Sequence, residues 1–223
     1  MNNVASLSVL QAITYLLPVV ILPYLFRVIG PERFGLIAFA QAFVQYFMIL
    51  TDYGFNISAT KEISLCRHEH AKVCSAFSSV MTVKLGLAFL SLIMLSLIVF
   101  FIPKFRNDWI VYVLSFGVVI GNTIFPVWFF QGTEKMKHIA DLNIAGGIIF
   151  AGLIFFFVKD PQDYLKVPLI NSSVFLTTGL LGQYIVFRRF GVTFRFPGYE
   201  NVRKQLKAGW DIFISIADRK SVV

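Results

Sequence analysis

Stretches 1–26, 34–51, 85–103, 109–133, 142–158 and 167–187 of this chain contain no Asp, Glu, Lys or Arg. Each reaches or approaches the roughly 17–25 apolar residues that cross a bilayer as a helix. The chain is 57% hydrophobic and only 14% charged, where soluble domains carry about a quarter charged residues. Its ionic groups cannot cover a water-soluble globule. The windows therefore predict an all-α fold, a polytopic integral membrane bundle of six spans, and exclude a soluble enzyme or a DNA-binding domain.

The net charge of +8 does not imply a nucleic-acid partner. Such a partner requires basic residues clustered on a solvated face, whereas these lie in the connections between apolar runs. Eleven fall on one side (Lys61, Arg67, Lys72, Lys135, Lys137, Arg188, Arg189, Arg195, Arg203, Lys204, Lys207) and six on the other (Arg27, Arg33, Lys104, Arg106, Lys159, Lys166). The positive-inside rule assigns the richer side, and with it the N-terminus, to the cytoplasm. The first run lacks a basic leader and is followed by further spans, so it reads as span one rather than a cleavable signal. Residues 1–187 then form a six-helix transmembrane lobe, in which an outer loop over 27–35, with Gly30-Pro31 as its turn signal, joins the first two spans and a cytoplasmic connection over 52–73 joins the second to the third. Residues 188–223 form a basic cytoplasmic segment suited to anionic inner-leaflet lipid and the beginning of another apolar run. From Trp210 onward, fourteen residues remain; as helix they reach about 21 Å, short of a roughly 30 Å hydrocarbon core. That run reads as the start of a truncated seventh helix.

Polar residues within spans are costly and mark either packing or function. Gln11, Thr14, Tyr15 and Pro18 fall on one stripe of span one, and Gln41, Gln45, Met48 and Asp52 on one stripe of span two. Two such stripes on adjacent helices suit a hydrated cavity open to the cytoplasm; single amides suit hydrogen bonds between helices. Pro18, Pro23 and Pro126 remove backbone donors, giving static kinks or hinges about which a bundle rocks. Lys84 snorkels to the interface if span three begins at Leu85, and is a pathway cation about 14 Å deep if it begins at Ser75. Ser75, Ser78, Ser79 and Thr82 form a stripe on the opposite side of that helix. Arg27 follows span one directly and offers a guanidinium suited to phosphate oxygens.

Cys66, His68, His70 and Cys74 have a spacing unlike the common structural zinc sites, so no metal is assigned and the thiols read as reduced cytoplasmic cysteines. There is no Gly-x4-Gly-Lys-Ser/Thr loop and no nucleophile–base constellation. No cofactor and no enzymatic activity are expected.

Four strings stand out: Ser6-Leu-Ser-Val-Leu-Gln-Ala-Ile-Thr-Tyr-Leu-Leu-Pro18, Pro23-Tyr-Leu-Phe-Arg-Val-Ile-Gly-Pro-Glu-Arg-Phe-Gly35, Thr51-Asp-Tyr-Gly-Phe-Asn-Ile-Ser-Ala-Thr60 and Pro126-Val-Trp-Phe-Phe-Gln-Gly-Thr-Glu-Lys-Met136. In this order they closely resemble the Wzx (RfbX-like) flippases, in the polysaccharide transporter branch of the multidrug/oligosaccharidyl-lipid/polysaccharide exporter superfamily. The likeness extends to about Ile216. It implies a bacterial inner-membrane protein that moves undecaprenyl-pyrophosphate-linked oligosaccharide repeat units, for O-antigen or a related polysaccharide, to the periplasmic leaflet. Family members have two six-helix lobes around a cationic cavity; this chain matches the first lobe and the start of the next helix. On that basis Arg27 and Lys84 are candidate phosphate contacts, Gln11, Gln41, Gln45 and Asn122 candidate sugar contacts, and Asp52 an ion or pairing site. Expected partners are the lipid-linked oligosaccharide, membrane lipids, a polysaccharide polymerase and glycosyltransferases. Two other readings differ in what they require. A cation-coupled multidrug exporter calls for an acidic, aromatic cavity, and a non-transporting scaffold for polysaccharide assembly suits a half-length chain.

Overall fold

The computed structural model describes the backbone of residues 2–220 and the side chains of Leu17 and residues 19–210. The side chains of Gln11 and Pro18 lie outside the described residues. In chain order the helices are α1 (Asn2–Asp52), α2 (Phe55–Cys66), α3 (His70–Phe101), α4 (Pro103–Arg106), α5 (Trp109–Ile124), α6 (Val127–Gly132), α7 (Lys137–Phe157), α8 (Lys166–Arg189) and α9 (Tyr199–Lys220). A 3-10 turn, Pro161–Leu165, precedes α8, and no strand occurs among the described residues. Among the described residues five stretches are long and apolar enough to cross a membrane: Val19–Cys66, His70–Phe101, Trp109–Gly132, Lys137–Phe157 and Pro161–Arg189. The protein is a polytopic membrane helical bundle.

The first helix is two helices joined at Gly30, whose φ of 80° and ψ of 162° are open to glycine and strained for any residue with a Cβ. Pro31 follows, and in a first turn, where N–H groups have no intrahelical acceptor, its missing N–H costs no bond. The chain reverses there, since Leu17 and Gln41 line one cavity. Each flank keeps its apolar face in a single core: Ile21, Leu25 and Ile29 before the kink, Ile37, Ala40, Val44 and Phe47 after it. A kink thus replaces the outer loop expected at 27–35. Helical backbone continues through Pro18 and Pro23, and Gly30 is where α1 departs from it. An added Cβ at Gly30 meets nothing within 4 Å, so Gly30→Ala should act through backbone strain alone. We expect it to cost about 1–3 kcal/mol, read as a lowered melting midpoint of the purified protein; an unshifted midpoint would contradict the strain.

The connection expected over 52–73 is mostly helix. Tyr53 (φ 41°) and Gly54 (φ 80°) end α1 in left-handed conformations. The chain then re-enters a helix because Phe55, Ala59 and Ile63 recur on one face, all buried, with Gly132 of α6 seated on Ile63. A second break lies at Pro126. Having no N–H, it cannot bond the Asn122 carbonyl, and it forces Phe125 out of the helical region (φ −69°, ψ 115°). Gln183 of α8 donates its Nε2 hydrogen to the Ile124 carbonyl beside this break, the replacement partner that an interrupted helix requires in lipid.

The largest helix interface is that of α5 with α8. Gly117 and Gly121 stand four residues apart on α5 and lie against Ser172 and the Phe175 backbone, while Gly179 meets the Gly121 carbonyl. Small residues at this spacing allow membrane helices to approach closely.

Connections gather at two ends. At one, the Tyr24 hydroxyl donates to the Val158 carbonyl at 2.7 Å, Arg33 Nη1 donates to the Pro161 carbonyl, and Lys104 lies over Phe39. At the other, Arg67 pairs with Glu134 at 2.5 Å. There an extended strap, 190–198, crosses α3: the Thr193 amide donates to Cys74 Sγ (3.4 Å) and the Arg195 amide to Ser78 Oγ (2.9 Å). From the strap α9 runs back along α2, with Gln205 and Lys204 bonded to Glu62 and Gly209 against Tyr53.

Candidate functional site

Three of the sequence-predicted residues converge. Lys84 Nζ donates to Asp52 Oδ1 at 3.1 Å, and Asn122 Nδ2 lies 3.4 Å from the same oxygen. Each arrives from a different helix: Asp52 at the last residue of α1, Lys84 in the middle of α3, and Asn122 one turn before the Pro126 break. Helix α3 begins at His70, so Lys84 lies within a continuous helix rather than at its start. Counted back from Phe101, it lies about 26 Å along the helix, a length comparable to a roughly 30 Å hydrocarbon core. Its side chain is 1% exposed, against 32% for Asp52. The ammonium is sealed behind the carboxylate, and Asp52 is the more accessible member of the pair. A buried ammonium paired in this way has its charge offset and one of its three donors satisfied.

The second element is a cavity of about 320 Å³ between the two halves of α1, α7 and α8. Its wall is apolar, with Leu17, Ile21, Leu25 and Phe150 among the lining side chains, apart from the amides of Gln41, Asn143 and Asn171. An amide both donates and accepts, so these groups suit water or neutral hydroxyls and carry no preference for ions. Among the described residues no acidic or basic side chain lines this cavity. Sequence periodicity identified Gln41 and missed Asn143 and Asn171. Asn143 lies one turn from Gly147, a pairing that signals close helix approach; Asn171, isolated near the start of α8, gives no signal by spacing.

Gln45 and Arg27 are exposed on the two halves of α1 and do not join the Asp52 cluster. Pro23 is likewise exposed on a helical stretch, and Pro126 is buried at the break between α5 and α6. Gln183, which the sequence reading passed over, bridges three helices by reaching the Ile124 carbonyl and Met81 Sδ (3.6 Å). His70 approaches Cys74 at 3.7 Å, and no group of three or more metal-capable side chains occurs among the described residues.

Comparison with known proteins gives this geometry a context. The family model described as "Polysaccharide biosynthesis protein" matches residues 1–217. The chain is 34% identical over 214 residues to the "Putative O-antigen transporter" of Escherichia coli (strain K12), covering 96% of this chain and 52% of that protein. It is 27% identical over 216 residues to the "Putative O-antigen transporter" of Shigella dysenteriae, covering 97% and 54%. The chain therefore spans about half the length of the curated relatives it matches. No solved structure matches it. A bundle of this kind, matched by the family model over nearly its whole length, belongs to the polysaccharide biosynthesis protein family of multi-pass membrane proteins.

Proposed function

We propose that this chain is one lobe of a transporter, rather than an enzyme, that moves a polyprenyl-pyrophosphate-linked oligosaccharide across the bacterial inner membrane with its N-terminus in the cytoplasm. Residues 1–187 form the lobe, and 188–223 lead into a further span. The observation that carries the reading is the cavity bearing Gln41, Asn143 and Asn171 in an apolar wall. Unpaired polar groups are expensive in hydrocarbon, and these three offer both donors and acceptors, as sugar hydroxyls require. Gln45 and Arg27 extend the polar route along the uncovered face of α1, with Arg27 the cation for the diphosphate. Asn122, Asp52 and Lys84 form its cytoplasmic end, and the kink at Gly30 and the break at Pro126 supply irregular backbone of the sort transporters use near substrate. A cation-coupled drug exporter fits less well, because the lining carries no carboxylate for an organic cation. The lipid tail stays in the bilayer, and polysaccharide polymerase and glycosyltransferases act on either side of the step.

The test is complementation of a strain lacking its own transporter, using the whole gene. Gln41→Leu and Asn143→Leu together should lower surface polysaccharide about tenfold at unchanged protein level, the loss expected when hydrogen-bonding groups for a substrate hydroxyl are removed. Full polysaccharide from the double variant would overturn the assignment of the cavity.

A further inference from the structure

At the end of the bundle opposite the basic connections lies a cleft of about 540 Å³, lined by Glu32, Arg33, Leu36, Phe39, Lys104, Asp108, Tyr112 and Tyr164. Its volume falls within the roughly 300–1,000 Å³ of small-molecule sites. Several features distinguish it from a gap between loops. The wall is a fixed aromatic cluster: Tyr112 packs at 5.0 Å from Phe105 and 6.4 Å from Phe39 between ring centroids, and Phe43 lies 5.1 Å from Phe105. The cations at the rim are held in place, Arg33 4.8 Å over the Tyr164 ring and bonded to the Pro161 carbonyl, Lys104 5.5 Å over the Phe39 ring. Tyr112 is 2% exposed, yet its hydroxyl bonds to none of the described residues. The hydroxyl oxygen is not one of the sealed polar atoms of the bundle: what little of this side chain is accessible includes its polar end, in a residue that lines the cleft.

The charges balance, Arg33 and Lys104 against Glu32 and Asp108, so the cleft does not select an anion such as a diphosphate. It combines aromatic faces, which stack on the C–H faces of sugar rings, with carboxylates that accept from hydroxyls and cations that donate to them. We infer that this cleft is a saccharide subsite, which takes up the sugar portion of the substrate on the face where it is released. The inference rests on the transport reading above and adds a second contact, distinct from the amide-lined cavity. Tyr112 supplies the central hydrogen bond, Glu32 and Asp108 the acceptors, and the rings of Tyr164 and Phe39, each with a cation over one face, the aromatic rim.

Saturation-transfer NMR on the whole protein in nanodiscs tests this, using as probe the oligosaccharide released from the host polysaccharide without lipid or phosphate. Tyr112→Phe removes only the unpaired hydroxyl, and Glu32→Gln with Asp108→Asn removes the charges of one exposed and one half-buried carboxylate. Each should weaken probe binding about tenfold with unchanged folded yield, and inorganic pyrophosphate should not compete. Wild-type affinity in both variants, absence of probe binding to the wild type, or displacement by pyrophosphate overturns the subsite. The transport reading has a separate readout. If the wild-type gene restores surface polysaccharide while the variants bind normally, the subsite alone fails; if the wild-type gene restores none, the transport reading fails with it.

Discussion

Asp52→Ala should destabilise the protein by about 3 kcal/mol, the lower end of the cost of breaking a buried ion pair, and Lys84→Met by about 1 kcal/mol or less. The asymmetry follows from burial. Removing Asp52 strands an ammonium that is 1% exposed, whereas removing Lys84 leaves a carboxylate that is 32% exposed and can be hydrated. Asn122 remains near the carboxylate in the second case. Asp52→Asn combined with Lys84→Met removes both charges and should recover most of the loss, as apolar or neutral replacements of buried pairs often do. Melting midpoints of the four detergent-solubilised proteins, compared with their surface polysaccharide, check this. A Lys84 variant that melts normally yet exports nothing would instead make Lys84 a direct substrate contact; equal losses from both single variants would contradict the burial argument.

The second large effect is expected at the α5–α8 crossing. A Cβ at Gly121 would stand 2.5 Å from the Phe175 carbonyl carbon and 2.7 Å from the Leu176 nitrogen. These are backbone atoms of a helix and cannot turn aside as a side-chain terminus can. Gly121→Val must push the helices apart along an interface that also holds the Ser172 bond to the Leu114 carbonyl and the Gln183 bond to the Ile124 carbonyl. We expect a cost of about 3 kcal/mol, the upper range for overpacking, and loss of most folded protein. Gly152→Ala on α7 is the control. Its added Cβ meets nothing within 4 Å, and alanine is the better helix former by about 1 kcal/mol, so its midpoint should hold or rise. Equal behaviour of the two variants would rule out close approach as the reason for Gly121.

The spans were legible because a bilayer imposes a length and a near-absence of charge on each, and both are visible residue by residue. Gly30-Pro31 was also legible as a turn. Its compactness was not, because nothing local distinguishes a one-residue reversal between two helices from a loop of several. The helix over Phe55–Cys66 was missed for a different reason: Lys61 and Glu62 suggested a solvated connection, while Phe55, Ala59 and Ile63 carried the helical period. Periodicity correctly separated the serine stripe of α3 from Lys84, and in the structure Ser78 holds the strap while Lys84 turns to Asp52. The grouping of Asp52, Lys84 and Asn122, and of Gln41 with Asn143 and Asn171, depends on how each helix is rotated and how deep it sits. Those quantities follow from packing between helices far apart in the chain, which no single stretch encodes.

The strap over 190–198 has a consequence for motion. A free linker would let α9 move without disturbing what precedes it. Here two strap amides are anchored on Cys74 and Ser78, and Gly209 presses on Tyr53 beside the Asp52–Lys84 pair. These contacts make α9 a crank rather than a tether: a swing of α9 would load α3 at one contact and the junction of α1 with α2 at the other.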